Sequence, residues 1–308
     1  MDTIIAPISR DLIESELLDK FLLRTTNFSN NSIYDVDFHS APNTVMELGR
    51  LREITFREAG GGTGKNVDLD EYDTCENPFR QLIVWDAAER EIVGAYRYIH
   101  GKNMSFDDNG QPLSPTSHLF SFSEKFMEEY LPHTIELGRS FVQPKYQPSN
   151  NPRKGLYALD NIWDGLGALV VYNDDLKYFF GKMTMYNSYP TKARDMILFL
   201  LEKYFNDAEK LVNAREPKYI HTNEKELEDI FIHQEFSLDF KILVKKVREL
   251  GVNVPPLINI YMGLAPTMKS FGTSANIHFG DVEETAIMIT IKDIYDAKKE
   301  RHINFKKR

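Results

Sequence analysis

The sequence predicts an α/β fold, a mixed sheet with helices packed on both faces, and three observations predict it. Helix-like and strand-like hydrophobic patterns interleave from end to end of the 308 residues. No internal repeat or low-complexity linker divides the chain, which favours one continuous fold over 1–308 rather than two tethered domains. The hydrophobic fraction of 42% and charged fraction of 27% are those of a soluble globular protein able to bury a substantial core.

Residues 46–60 read as a helix, with Leu48, Leu51 and Phe56 among polar residues and Gly60, Gly61 and Gly62 as its stop. A polar, acidic loop follows. Residues 79–86 and 91–100 read as strands joined by the short polar turn 87–90. Residues 119–130 have helical spacing and lead directly into a strand over 134–142. The loop KYQPSNNPRKG breaks regular structure and opens a helix over 156–172. A strand is expected at 178–185, then an amphipathic helix at 191–205 with Thr191 as its N-cap. The charged stretch 207–250 reads as a helical insertion or outer layer, and 256–264 and 286–291 as closing strands of the sheet.

A net charge of −9 argues against a general nucleic-acid binder, which would show a basic excess. The single cysteine, Cys75, excludes an intramolecular disulfide framework and fits a reducing compartment. No argument places a histidine beside it, so a plain structural role is preferred to a nucleophile. The start MDTIIAPISRDLIESELLDK lacks a basic segment followed by a long apolar one, so no secretory signal is visible. The longest apolar runs, such as 167–172 and 196–201, fall far short of the roughly 20 residues that span a bilayer. A cytoplasmic location is expected, with surface contact at a membrane left open.

The stretch ELGRSFVQP, 136–144, carries the sharpest chemical signal. Side chains alternate along a strand, so Glu136 and Arg139 would point to opposite faces. A bulge at Gly138 would add a residue and bring acid and base to one face. Arg52, Asp70, Asp73 and Arg97 are further ionisable residues in apolar surroundings. Singly, each reads as solvated surface, a turn or a cap. Arg97 and the Glu136/Arg139 pair, however, lie in strands expected to be central, where unpaired charge is expensive.

In order, Arg52-Glu-Ile-Thr-Phe56, Asp70-Glu-Tyr-Asp73, Val93-Gly-Ala-Tyr-Arg97 and Glu136-Leu-Gly-Arg139 resemble the R-x-x-x-F, D-x-x-D, R, E-x-x-R pattern of the acyl-homoserine-lactone synthases. With ELGRSFVQPKY, IWDGLGALV, YFFGKMTMYNSYP and VPPLINIYMGLAP, the sequence is more similar still to the ornithine-acyl-ACP N-acyltransferase family, also described as hemolysin-like. The likeness runs from about Leu48 to about Thr290. It implies a GNAT-like fold: a mixed, largely antiparallel sheet flanked by helices on both faces, with a helical insertion. It also implies transfer of a fatty acyl group, 3-hydroxylated, from acyl carrier protein to the α-amine of an amino acid, ornithine or glycine, giving a lyso-amino-acid lipid.

Aminolysis of a thioester needs a neutral amine, removal of its proton and donors for the oxyanion. It needs no metal, no bound cofactor and no covalent enzyme intermediate. Glu136 is the candidate general base, and backbone N–H groups around Ser140, Phe141 and Val142 are candidates for the oxyanion hole. Arg97 and Arg139 would hold carboxylates in place or bind the acceptor's own carboxylate. Asp70 and Asp73 would recognise an amine or clamp the N-terminal helix through Arg52. The aromatic residues Phe56, Tyr96, Phe141, Tyr178, Phe179 and Phe180 read either as an acyl channel or as plain core.

The loop after the expected bulge reads QPSNNPRKGLYALDN and lacks the Q/R-x-x-G-x-G/A spacing with which CoA-using GNAT enzymes cradle a pyrophosphate. A phosphopantetheine arm on acyl carrier protein is therefore favoured over acyl-CoA. Arg153, Lys154 and Gly155 would meet that acidic partner. The tail KKERHINFKKR, 298–308, holds six Lys or Arg against one Glu and reads either as a peripheral membrane anchor on the inner face or as a frayed terminus.

Two other readings stand beside this one. Homoserine-lactone synthesis from S-adenosylmethionine shares the charged constellation, but this chain is longer and its C-terminal half resembles the lipid-synthesis family. A hemolysin-like membrane-binding protein without catalysis leaves the central Glu/Arg constellation without a purpose.

Overall fold

The computed structural model describes residues 1–305. In chain order come α1 (Arg10–Glu16), β1 (Leu22–Thr25), β2 (Ser32–Val36), α2 (Pro42–Glu58), α3 (Glu71–Thr74), β3 (Arg80–Asp86), β4 (Glu91–His100), β5 (Phe120–Phe122) and β6 (Thr134–Val142). The second half adds α4 (Pro152–Gly155), α5 (Ala158–Tyr172), β7 (Tyr178–Met185), α6 (Thr191–Phe205), β8 (Val212–Ala214), α7 (Glu224–Ile230), α8 (Phe236–Glu249), α9 (Pro256–Met262), β9 (Lys269–Asn276), β10 (Val282–Thr290) and α10 (Asp296–His302).

Eight strands form one sheet in the order β1-β2-β3-β4-β6-β7-β10-β9, while β5 and β8 pair separately. All neighbours run antiparallel except β6 and β7. Strand alternation divides the apolar residues between two faces. On one face, Leu82, Tyr96 and Leu137 pack with α5, α6 and α9 through Leu166, Ile197 and Ile258. On the other, Ile83 and Ala95 meet α2 through Leu48, Leu51 and Phe56. Further along that face, Ile99 and Phe180 meet Phe120 and Phe126. The expected mixed, largely antiparallel sheet with helices on both faces is present.

Helix α2 begins earlier than its apolar spacing suggests because Pro42 occupies the first turn. There the Glu16 carboxylate accepts from the Thr44 N–H at 2.7 Å and the Asn43 N–H at 3.0 Å, satisfying donors a helix start leaves open.

Several expectations are corrected. Residues 119–130 are not one helix: Phe120 and Phe122 alternate in β5, and only the second half, 124–130, coils, ending in a wide π-type turn over Phe126–Tyr130. The expected strand 256–264 is helix α9, opened by Pro256 and burying Ile258 and Met262 one turn apart. The sheet is closed instead by β10 and by β9, whose polar KSFGTSAN reads poorly as a strand. Thr191 is the first residue of α6 rather than its cap: Pro190 precedes it and no side chain caps the end.

Between 207 and 250 lie β8, α7 and α8, and Leu227, Phe231, Leu243 and Val247 join the core beside α6. The described part of the tail is folded against the body. His302 Nδ1 lies 2.8 Å from Asp164 Oδ1, and the Arg24 guanidinium sits 4.2 Å from the Phe305 ring centre. Residues 306–308 of that tail lie outside the described residues. Among the described residues no helix is long and apolar enough to cross a membrane.

Candidate active site

The acidic loop reaches the sheet because Gly49 lets it pack on α2. A Cβ there would lie 2.6 Å from Val67 Cγ2, and the Asp68 N–H donates to the Gly49 carbonyl at 3.1 Å. Glu53, fully buried, fixes the preceding turn by accepting from the Thr63 and Gly64 N–H groups at 3.0 and 2.8 Å. Asp70 then caps α3, and Asp73 reciprocates by accepting from the Asp70 N–H at 3.2 Å, a capping box built from two aspartates.

These caps are also counter-ions. Arg97 Nη1 donates to Asp70 Oδ1 at 2.6 Å and to Asp73 Oδ2 at 2.8 Å. Arg52 Nη1 donates to Asp73 Oδ1 at 3.3 Å, and Gln81 bridges the pair by accepting from Arg52 and donating to Asp73. Burial alone would raise the Asp73 carboxyl, but Arg97 and Arg52 outweigh it and hold it at about 2. Burial lowers Arg52, whereas the aspartates outweigh burial at Arg97 and raise it.

The expected bulge exists but is displaced from Gly138. The register runs Ala95↔Phe141 then Arg97↔Gly138, so Arg139 and Ser140 together face Tyr96, and Arg139 takes the left-handed backbone at φ 50°. Arg139 is held there by Asp68, whose Oδ2 lies 2.9 Å from its Nε, and by the Phe279 ring 4.5 Å away. Asp68 is a partner that the sequence reading did not single out. The bulge thereby turns Arg139 to the face of Arg97 and Glu136. Burial raises the Asp68 carboxyl despite the arginines. Gly94 is required opposite, since a Cβ would lie 2.4 Å from the Phe141 carbonyl oxygen.

Beyond the bulge the sheet opens. β6 and β7 pair from Thr134↔Tyr178 only as far as Leu137↔Gly181. Past that point the groups each strand would turn to the other face a cavity of about 800 Å³. Glu136, Arg97 and Arg139 line it on one face of the sheet, and Tyr96, Leu159 and Ile258 on the other. Glu136 is 6% exposed and accepts from Thr116 Oγ1 at 2.7 Å. Burial pushes its carboxyl up, against the opposing influence of Thr116 and Lys182. Thr116, Lys182 and Glu284 line the same cavity, and none of them was marked by the sequence reading.

Of the other expected site residues, Phe56, Ser140, Phe141, Val142 and Gly155 line the cavity. Arg52 and Asp73 are wholly buried, and with Asp70 they stand behind Arg97 rather than at the cavity wall. Phe179 and Phe180 line the cavity from opposite faces, and Tyr178 packs at a tilt against Tyr130 instead, ring centres 5.1 Å apart. Arg153 is exposed, while Lys154 is engaged by Glu89 at 2.7 Å and Asp86 at 3.4 Å.

A sheet that parts beside a bulge, with a buried carboxylate at the parting, defines an acyltransferase of the GNAT class, and the family described as acetyltransferase (GNAT) domain matches residues 51–154. Over 303 residues, 98% of this chain, the sequence is 54% identical to the glycine N(alpha)-acyltransferase of Phocaeicola vulgatus, covering 93% of that protein. It is also 54% identical over 303 residues to the glycine N(alpha)-acyltransferase of Bacteroides thetaiotaomicron, covering 90% of it. The chain belongs to this family of N-acyltransferases. No solved structure matches it.

Proposed function

We propose that the protein moves a fatty acyl group from the phosphopantetheine thioester of acyl carrier protein to the α-amine of glycine, giving an N-acyl amino acid that serves as a lyso-lipid. The observation that carries this reading is the cavity that crosses the sheet where β6 and β7 part, charged on the Glu136 face and apolar on the Tyr96 face. The acyl chain occupies the apolar side and the amine approaches from the charged side, so that thioester and amine meet at the bulge.

Glu136 removes the amine proton as nitrogen attacks the thioester carbon. The N–C bond forms, the C–S bond breaks, and the proton passes on to the departing thiolate. A raised carboxyl suits that work, because a base that holds its proton more tightly accepts it more readily from an ammonium. Backbone N–H groups among Ser140 to Val142, on the edge of β6 turned toward β7 beyond their last pair Leu137↔Gly181, stabilise the oxyanion. Arg52, Asp70 and Asp73 hold Arg97 rather than touch substrate.

Support for a carrier-bound donor over CoA comes from the loop after the bulge, where Pro148, Asn150 and Gly155 line the cavity without a glycine-rich cradle. Exposed Arg153 lies beside that mouth and faces an acidic partner. The basic C-terminal tail gives the enzyme a peripheral contact at the inner membrane surface, where an N-acylated product partitions.

The test is mass spectrometry of products from purified protein given acyl carrier protein loaded with a 3-hydroxy acyl chain, then acyl-CoA, each with glycine or ornithine. N-acylglycine formed from the carrier-bound donor supports the reading. Preference for ornithine corrects the acceptor, preference for CoA corrects the donor, and no amide from any pairing sinks it.

A further inference from the structure

We infer that Lys182, fixed by Glu284, is the group that selects an acceptor carrying a carboxylate beside its amine. The inference rests on the amino-acid acceptor proposed above and names the residues that recognise it. Lys182 is the first residue of β7 past the last register pair with β6, Leu137↔Gly181. Glu136 faces Phe180 across that pairing, so Lys182, two residues on, shares the face of Glu136. Glu284, in β10, lies on the same face, opposite Thr184 of β7.

The pair is built to present a cation. Glu284 Oε2 lies 3.2 Å from Lys182 Nζ and accepts from Asn276 Nδ2 at 3.1 Å, while its Oε1 accepts from Thr184 Oγ1 at 3.3 Å. The Lys182 side chain is 14% exposed and lines the cavity. Among the described residues it makes this ion pair and no hydrogen bond, which leaves ammonium donors for a ligand to take up. The three arginines of the site are already matched: Arg52, Arg97 and Arg139 face Asp73, Asp70 and Asp68. Lys182 is a further cavity cation beside that set, and Glu284 is its one ion-pair partner among the described residues.

The chemistry of an α-amino acid fits this arrangement. Its amine and carboxylate are separated by one carbon, so the groups that receive them must be neighbours. With Glu136 and Glu284, the cation has two carboxylates on its own face. The ammonium is drawn to the carboxylates and the acceptor carboxylate to Lys182, which leaves the amine next to its base. An amine without a carboxylate gains nothing from Lys182.

The test compares kcat/KM for glycine and for glycinamide, with a saturating carrier-bound donor, in wild type, K182M, K182R and the double variant K182M/E284Q. The ratio of the two acceptors within one protein removes effects on folding and on Glu136, and comparing ratios between proteins removes the difference in amine basicity. The wild-type preference for glycine is expected to fall by about tenfold or more in K182M and in K182M/E284Q, through a higher KM for glycine, and to survive largely in K182R. The double variant removes both charges together, so glycinamide turnover in it reports a folded site. An unchanged ratio in the variants, or no wild-type preference for glycine, overturns the inference alone. A wild-type enzyme that acylates neither acceptor nor any other amino acid overturns the underlying acceptor reading and the inference with it.

Discussion

The Glu136 carboxylate accepts a hydrogen bond from Thr116 Oγ1, 2.7 Å away, inside a site where burial pushes its proton affinity up. Thr116 opposes that rise by stabilising the charged form. A base works only when deprotonated, so activity should fall off on the acid side at a pH above the ordinary carboxylate range. T116V keeps the shape and removes the donor. The acid limb of kcat/KM against pH should move further up in this variant, with the plateau at high pH largely retained. A limb that stays in place, or moves down, would remove Glu136 from the rate profile.

Glu136→Gln should lower turnover by about 10²- to 10⁴-fold without weakening the fold. The sign follows from the raised carboxyl: the folded state favours the neutral form, so ionised Glu136 costs stability as pH rises past its unfolded value. A neutral glutamine removes that cost. Thermal unfolding at neutral pH should therefore give a Tm equal to or above that of wild type, beside a near-silent assay. Wild-type turnover would end the general-base assignment.

Much of this fold was legible because β3, β4, β6 and β7 are long apolar strands whose few charges stand out. The bulge was legible for the same reason, through a glutamate and an arginine at incompatible spacing. Its position was not. Glycine is the usual residue for a left-handed backbone, yet Arg139 adopts it, held by Asp68 from a loop distant in sequence. Lys182 and Glu284 were invisible because a lone charge near the end of a half-buried strand looks solvated until the neighbouring strand parts from it. The run 256–264 misled because Ile258 and Ile260 suit a strand, whereas tertiary packing buries Ile258 and Met262 together.

The Asp73 carboxyl, held at about 2 by Arg97 and Arg52 against the rise that burial would cause, links the network to acid stability. Its folded value is depressed, so its contribution is fully present above the unfolded value of about 3.9 and is lost as pH falls toward about 2. D73N should flatten the stability curve in that window. It should also cost about 3–5 kcal/mol at neutral pH, since two buried arginines lose their shared counter-ion. Urea unfolding from pH 2 to 7 on both proteins checks this, and parallel curves would show that Asp73 is not the group titrating there.

Two glycines test where the bulge lies. A Cβ at Gly94 would lie 2.4 Å from the Phe141 carbonyl oxygen, 2.7 Å from Ile162 Cδ1 and 3.2 Å from Val142 Cα. The first and last of these are backbone of the strand that carries the bulge, so the methyl can be accommodated only by pushing β6 away from β4. A Cβ at Gly138 meets nothing within 4 Å, and Gly138 is not among the residues with positive φ. G94A should thus cost about 1–3 kcal/mol and lower kcat although every charged side chain is intact, because Ser140 to Val142 would move relative to Glu136. G138A should keep a wild-type Tm, and its methyl should alter only how substrate fits the cavity, seen in KM. If G138A unfolds early and G94A does not, the left-handed residue of the bulge is Gly138 after all, and the placement of Arg139 against Asp68 falls with it.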